Sequence, residues 1–238
     1  MKGIIISIEG TDGAGKHTQQ QLLAEDLKKQ GFPVFEQSFP NYDSPSASPV
    51  KMYLGGEFGN DPNCLDAYQA STLYATDRLA TYKKDIEPHY NNGEIILFDR
   101  YVQSNFIHQC SKITDEKERQ KFLNWNREFE FKTLKLPEPD LVFFIEMPPE
   151  KSLELARARG ELKAGTSKDI HEQDPEYLAR SYNNGLSLAN QLGWNLIHCV
   201  DENGNVKTRE AIHEEIMKVV KNFFEKYISE NANTKFKI

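Results

Sequence analysis

Three glycines and a lysine crowd into "SIEGTDGAGKHTQQQL", which runs from Ser7 to Leu22. Gly10 is followed by four residues, then Gly15 and Lys16. Glycines at this spacing let a chain turn from strand to helix while its backbone N–H groups face phosphate oxygens, and the lysine adds a full positive charge. The run Gly10, Thr11, Asp12, Gly13, Ala14, Gly15, Lys16, His17 and Thr18 is therefore a candidate binding site for a nucleoside triphosphate. A hydroxyl usually follows such a lysine and meets a magnesium ion. His17 stands there instead, and a neutral imidazole is a poor ligand for that hard cation. Thr18, one place later, is the available hydroxyl.

Two further groupings could bind a polar, flat ligand. "ILFDRYVQSN" puts Asp99 and Arg100 at the end of an apolar run, where charges are costly unless they have a task. Arg100 is the candidate donor to a phosphate, because its planar fork matches phosphate oxygens. Asp99 is a candidate for orienting either the waters of a metal ion or Arg100 itself. Ser104 and Asn105 follow within a helical turn and can add polar contacts. Tyr74 and Arg78 lie four apart in a helical stretch and so share a face, a ring and a guanidinium suited to an aromatic base. Taken alone, that pair reads equally well as the rim of a half-buried amphipathic helix. His108 and His198 read as core or surface histidines rather than ligands.

These side chains need a frame. "GIIISIE", "EIILFDR" and "LVFFIEM" are nearly continuous apolar runs, as expected of strands covered on both faces. "FPVFEQSF" and "WNLIHCV" are weaker fourth and fifth strands. Helical stretches separate them: Thr18 to Lys29, Asp66 to Tyr90, Asp115 to Phe131, Pro149 to Arg159, Pro175 to Leu192 and Thr208 to Tyr227. Such alternation predicts an α/β fold, a doubly wound parallel five-stranded sheet in a single domain over 1–238. Ligands then sit outside the carboxyl ends of the strands, where the candidate residues fall. "RGELKAGTSKDIHEQDP", about 159–175, lacks any apolar period and reads as a surface loop or a functional lid. The tail, about 229–238, reads as loosely ordered.

Composition narrows the partners. The 238 residues carry a formal charge of −7, which argues against broad nucleic-acid binding but not against a small phosphorylated ligand. No apolar run is long enough for a membrane span. The opening "MKGIIISIEG" is too short for a signal core, and three scattered cysteines suggest neither a metal pattern nor a disulfide framework. Both features suit a cytoplasmic protein.

In order along the chain, "EGTDGAGKHTQ", "SFPNY", "LYATDR", "DRYVQSN" and "PEPDLVFFIEMPPEKSLELARARG" resemble the motifs of the thymidylate kinase family, over roughly Ile4 to Trp194. "GKHTQ" itself is similar to the Gly-Lys-x-Thr-Gln of nucleoside monophosphate kinases. The resemblance implies a P-loop enzyme that moves the γ-phosphoryl group of ATP, with Mg²⁺, onto dTMP as a step towards dTTP. It implies that Tyr74 and Arg78 hold the thymine, that Phe39 packs beside the base, and that Asp12 binds the sugar 3′-hydroxyl and shapes the acceptor site. It also implies a homodimer and assigns Mg²⁺ to Thr18 and Asp99, the latter through water.

The chain departs from the family pattern twice. Tyr42 stands where many members carry an arginine that touches the dTMP phosphate. Gly13 stands where some members place an arginine inside the loop, so the charge at the transferring group is expected from Arg157, Arg159, Lys163 or Lys168. Arg157 and Arg159 are two apart on a helix, so at most one points inward. The first departure leaves open another acceptor, such as dUMP or a deoxynucleoside. His17 leaves open a non-catalytic nucleotide-binding protein.

Overall fold

A computed structural model describes residues 2–158, 170 and 174–230. Five parallel strands form one sheet in the order β2-β3-β1-β4-β5: β1 is Ile4–Glu9, β2 Val34–Ser38, β3 Ile95–Asp99, β4 Leu141–Glu146 and β5 Asn195–His198. Every residue of β1 and β4 is buried, which is why those runs are apolar without alternation. Successive side chains serve opposite faces. Ile4, Ile6 and Ile8 pack with helices α1 (Lys16–Lys29) and α9 (Arg209–Glu230). Ile5, Ile96 and Phe98 pack on the other face among Phe106, Phe122 and Leu123. Those last three residues belong to α5 (Gln103–His108) and α6 (Glu116–Arg127).

From β1 the chain leaves towards β2, and from β3 it crosses over β1 to β4. The two connections run in opposite directions past one another, and a ligand is expected outside the carboxyl ends of these strands. Register completes the arrangement, because Ile8 pairs with Asp99, bringing the glycine loop alongside Asp99 and Arg100.

All five expected strands are present. The long helical stretches are present too, but subdivided. Asp66 to Tyr90 resolves into α3 (Ala67–Thr81), a π-helical turn Tyr82–Ile86 and α4 (Glu87–Asn91). Asp66 and Gln69 form a reciprocal capping box at the start of α3. Asp115 to Phe131 becomes α6 followed by a π-helical turn, Glu128–Thr133. A short 3₁₀ turn Pro45–Ala47 and helix α2 (Ser48–Leu54) form in a Ser- and Pro-rich stretch that is not among the expected helices. The prolines sit in first turns, where the missing N–H costs nothing, and the Ser44 hydroxyl caps the 3₁₀ turn. Helix α7 is Pro149–Ala158 and α8 is Pro175–Leu192, capped by Asp174. Helix α9 extends to Glu230, so residues 229 and 230 of the expected loose tail are helical.

Most of the segment expected to form a lid, including Arg159, Lys163 and Lys168, lies outside the described residues, as does the side chain of Arg157. Ile170 is described: it is buried, and its N–H donates to the Leu54 carbonyl at 3.1 Å. No described helix is long and apolar enough to cross a membrane.

Candidate active site

The glycine loop closes on itself before α1 begins. Lys16 Nζ donates to the Thr11 carbonyl at 2.8 Å, and the lysine is 7% exposed. Burial, aided by repulsion from Arg100, lowers its pKa to about 8 against the pull of Asp12, Asp99 and Glu9. Helix α1 has no acidic residue in its first turn, so its N-terminal N–H groups and dipole keep their attraction for anions. Gly13 has φ 73, and a Cβ there would lie 2.1 Å from Ser152 Oγ on α7. The same hydroxyl donates to the Asp12 carbonyl at 2.8 Å. No side chain, and hence no arginine, fits at position 13 while Ser152 holds the loop.

Arg100 joins this loop to the next strand. Its backbone has φ 68, a left-handed turn unusual for a side chain of this size. The corner is pinned by the Arg100 N–H on the Ile8 carbonyl at 3.1 Å and the Tyr101 N–H on Glu9 Oε1 at 2.7 Å. Arg100 Nη1 donates to the Gly10 carbonyl at 3.1 Å and lies 3.0 Å from His108 Nε2, and Nη2 meets Asp12 Oδ1 at 2.5 Å. Burial alone would lower the Arg100 pKa, but the carboxylates of Asp12, Asp99 and Glu9 outweigh it and hold the pKa above its ordinary value. The guanidinium is a permanent charge at the centre of the crevice.

Asp12, not Asp99, therefore orients Arg100, which corrects one of the two tasks expected of Asp99. The reason is direction: Asp99 Oδ2 faces His17 Nδ1 at 3.7 Å, on the loop side of the strand end. Its Oδ1 is buried and makes no hydrogen bond among the described residues. A buried carboxylate oxygen with spare acceptor capacity, beside the start of α1 where Thr18 lies, fits a hydrated magnesium ion. His17 is largely exposed, as expected of a residue the first helical turn merely tolerates.

On the other side of Arg100 lies a cavity. Asp12, Phe39, Tyr42, Tyr74, Arg78, Arg100, Ser104 and Asn105 all line it, as do Pro40, Leu54, His108 and Gln109. Phe39 is buried and tilted against Phe98 and Tyr101, while Tyr42 is half exposed at the mouth. Two polar candidates are engaged behind the wall. The Ser104 hydroxyl donates to Glu9 Oε2 at 2.6 Å. Glu9 is fully buried; burial raises its pKa, opposed by the hydroxyls of Ser104 and Ser7. Arg78, also fully buried, holds Glu130 with a two-pronged pair at 2.6 and 2.7 Å.

His108 is buried, in keeping with a core histidine, and it also lines the cavity and touches Arg100, which sequence reading did not expect. A lone histidine at the end of the short helix α5 carries no signal of this, although its place one turn after Asn105 puts it on the same helical face. Gln109 and Glu130 carry no sequence signal either. His198 is a surface histidine, paired with Glu146 at 3.0 Å.

A family model described as thymidylate kinase matches residues 8–216. The chain is 31% identical over 192 residues to the thymidylate kinase of Mycobacterium tuberculosis, covering 80% of this chain and 87% of that one. It is 31% identical over 162 residues to a probable thymidylate kinase of Pyrococcus horikoshii, covering 68% and 74% respectively. Its fold is similar to that of the thymidylate kinase of Candida albicans, with a TM-score of 0.68, 21% identity, and coverage of 93% and 92%. At that identity the likeness concerns the fold alone.

Proposed function

Because the chain belongs to the thymidylate kinase family, we propose that it transfers the γ-phosphoryl group of ATP to the 5′-phosphate of dTMP, giving ADP and dTDP. The observation that carries this reading is the single cavity lined by all eight acceptor-side residues and joined to the glycine loop through Asp12 and Arg100.

In this reading the triphosphate lies along Gly10 to Thr18, with Lys16 swinging from the Thr11 carbonyl to the terminal phosphates. The monophosphate enters beside Arg100, its base between Phe39 and Tyr74 and against Arg78 and Asn105. Asp12 is near enough to both Arg100 and the cavity to meet the sugar. A phosphate oxygen of the acceptor forms the new bond to the γ-phosphorus as the bond to the β–γ bridging oxygen breaks. No covalent enzyme intermediate is involved, so the protein contributes alignment and positive charge. Lys16 and Arg100 approach the reacting group from opposite sides, and the lid candidates Arg157, Arg159, Lys163 and Lys168 supply the remaining charge. Asp99, through water, and Thr18 would hold Mg²⁺, which supplies charge neutralisation on the phosphates when bound. We further read residues 1–238 as one kinase domain, with a lid over about 159–175, that acts as a homodimer in the cytoplasm. The described cysteines are unpaired, which suits a reducing compartment.

The test is ADP release from Mg-ATP with dTMP, dUMP, dCMP, AMP and thymidine offered separately. Selective turnover of dTMP is expected. Turnover of thymidine in its place, or ATP binding with no turnover of any acceptor, would overturn the reading.

A further inference from the structure

We propose that Glu130, which does not line the cavity, is the positioning residue that decides which pyrimidine edge the cavity accepts. The proposal rests on the acceptor assignment above and adds what fixes its base preference.

Glu130 lies in "WNREFEFKTLK", at the end of the stretch Asp115 to Phe131 that the sequence predicts to be helical. The π-helical turn Glu128–Thr133 changes that, since its extra residue per turn rotates the following side chains relative to an α-helix. Glu130 is fully buried, and its two oxygens take four donors. Oε2 accepts from Arg78 Nε at 2.6 Å. Oε1 accepts from Arg78 Nη2 at 2.7 Å, Asn105 Nδ2 at 2.9 Å and Asn126 Nδ2 at 3.0 Å. Arg78 and Asn105 thus stand side by side on one oxygen, and both reach the cavity.

An ionised carboxylate only accepts. It therefore forces the Asn105 amide to turn its NH₂ inward, where the second hydrogen points to the Ser71 carbonyl at 3.4 Å. The polar atom of Asn105 with capacity left is Oδ1, an acceptor. Arg78 has only donors, and those not spent on Glu130 are on the Nη atoms. The wall consequently offers a donor beside an acceptor. A pyrimidine-2,4-dione such as thymine presents the complement, a carbonyl oxygen next to N3–H. A 4-aminopyrimidine such as cytosine presents the reverse, an amino donor next to a ring-nitrogen acceptor, and meets like against like. Leaving a buried polar group facing its own kind is the strong form of discrimination.

Substituting Glu130→Gln puts an amide NH₂ into the same space and lets the Asn105 amide reverse. The ratio of kcat/KM for dTMP over dCMP is expected to fall at least about tenfold. The ratio of dTMP over dUMP, which share the same edge, stays unchanged. Glu130→Asp keeps the carboxylate and keeps the dTMP preference at a lower rate. A purely structural role would instead depress dTMP, dUMP and dCMP in parallel, and an unchanged dTMP:dCMP ratio in folded E130Q overturns the proposal. If E130Q does not fold, as judged by melting and ATP binding, the double change Glu130→Gln with Asn105→Asp decides the matter. It preserves volume, leaves one carboxylate for Arg78 and still shows an acceptor to the base, so preference for dTMP over dCMP is expected to survive. Its loss in a folded double variant overturns the proposal. Wild-type protein that does not turn over dTMP refutes the acceptor assignment itself, a separate outcome visible before any variant is made.

Discussion

Arg100 Nη2 and Asp12 Oδ1 meet at 2.5 Å although 88 residues separate them in sequence. The pair bridges the crevice between β1 and β3, so a single guanidinium is shared by the glycine loop and the acceptor cavity. Its remaining contacts, the Gly10 carbonyl and His108 Nε2, come from the same two sides. In the proposed reading both substrates of the phosphoryl transfer approach this one charge, which Asp12 holds in place.

Arg100→Ala should therefore damage the transfer itself. Removing a preorganised charge at the reacting group is expected to lower kcat/KM for dTMP by about 100- to 1,000-fold. Asp12→Asn leaves the guanidinium present but less firmly held. The KM for dTMP is then expected to rise roughly tenfold, with a smaller change in kcat. Steady-state kinetics on the two variants separates these outcomes, and equal effects on kcat would contradict the division of roles.

Lys16 is expected to give the enzyme an alkaline limit. Its pKa of about 8 lies below the ordinary lysine value of 10.5, so the empty site loses this charge as pH rises through 8. The kcat/KM for ATP, which reports the free enzyme, should fall about tenfold per pH unit above that point. ATP binding near pH 8 should take up protons, measurable by calorimetry in buffers of different ionisation enthalpy. Stability moves the other way. Between about 8 and 10.5 the unfolded chain holds the proton and the folded chain does not, so this group makes the ligand-free protein more stable as pH rises. A flat ATP profile across pH 7–9.5 would mean that Lys16 is not the phosphate-binding charge.

What could be read from sequence was whatever depends on local pattern. Ile4 to Glu9 and Leu141 to Glu146 are apolar because both faces are covered, and the strand ends located Asp99, Arg100 and the glycine loop without coordinates. Eight of the cavity residues are legible because each lies just after a strand or on a helix face of regular period, whereas His108 and Gln109 are not. What escaped depends on non-local pairing. Nothing around Ser104 announces that its hydroxyl turns to Glu9, 95 residues away. Glu130 was hidden because a π turn breaks the period on which helix faces are read. Even Asp12, a glycine-loop candidate from its position alone, is joined to Arg100 by a strand pairing that only the register supplies.

Asp99 and His17 give opposite expectations at the same spot. Asp99 Oδ1 is buried without a hydrogen bond among the described residues, so Asp99→Asn removes the charge while keeping the shape. The Mg²⁺ concentration for half-maximal rate should rise about tenfold or more, and chelation should abolish turnover in wild type. His17 touches Asp99 only at 3.7 Å from an exposed position. His17→Ala should change kcat/KM by less than about threefold, as expected of an exposed side chain in weak contact. A Mg²⁺ titration of both variants checks this, and a large His17 effect would reassign the imidazole to the metal or the phosphates.

Gly13 and Ser152 offer a test of why the loop holds its shape. A methyl group at position 13 would lie 2.1 Å from Ser152 Oγ, while the serine Cβ is 3.5 Å away, an ordinary contact. Gly13→Ala therefore carries two costs: the overlap with the hydroxyl, and a left-handed backbone at φ 73 that disfavours any Cβ by about 1–2 kcal/mol. Ser152→Ala by itself loses the hydrogen bond to the Asp12 carbonyl, about 1 kcal/mol. Combined with Gly13→Ala, it removes the overlap but not the backbone strain. Urea unfolding of the two single variants and the double variant should show the double more stable than the sum of singles predicts, by about 1 kcal/mol or more. The double variant should also recover part of the ATP affinity lost in Gly13→Ala. Strict additivity would mean that the loop moves away from α7 when position 13 is filled, and that Ser152 does not clamp it.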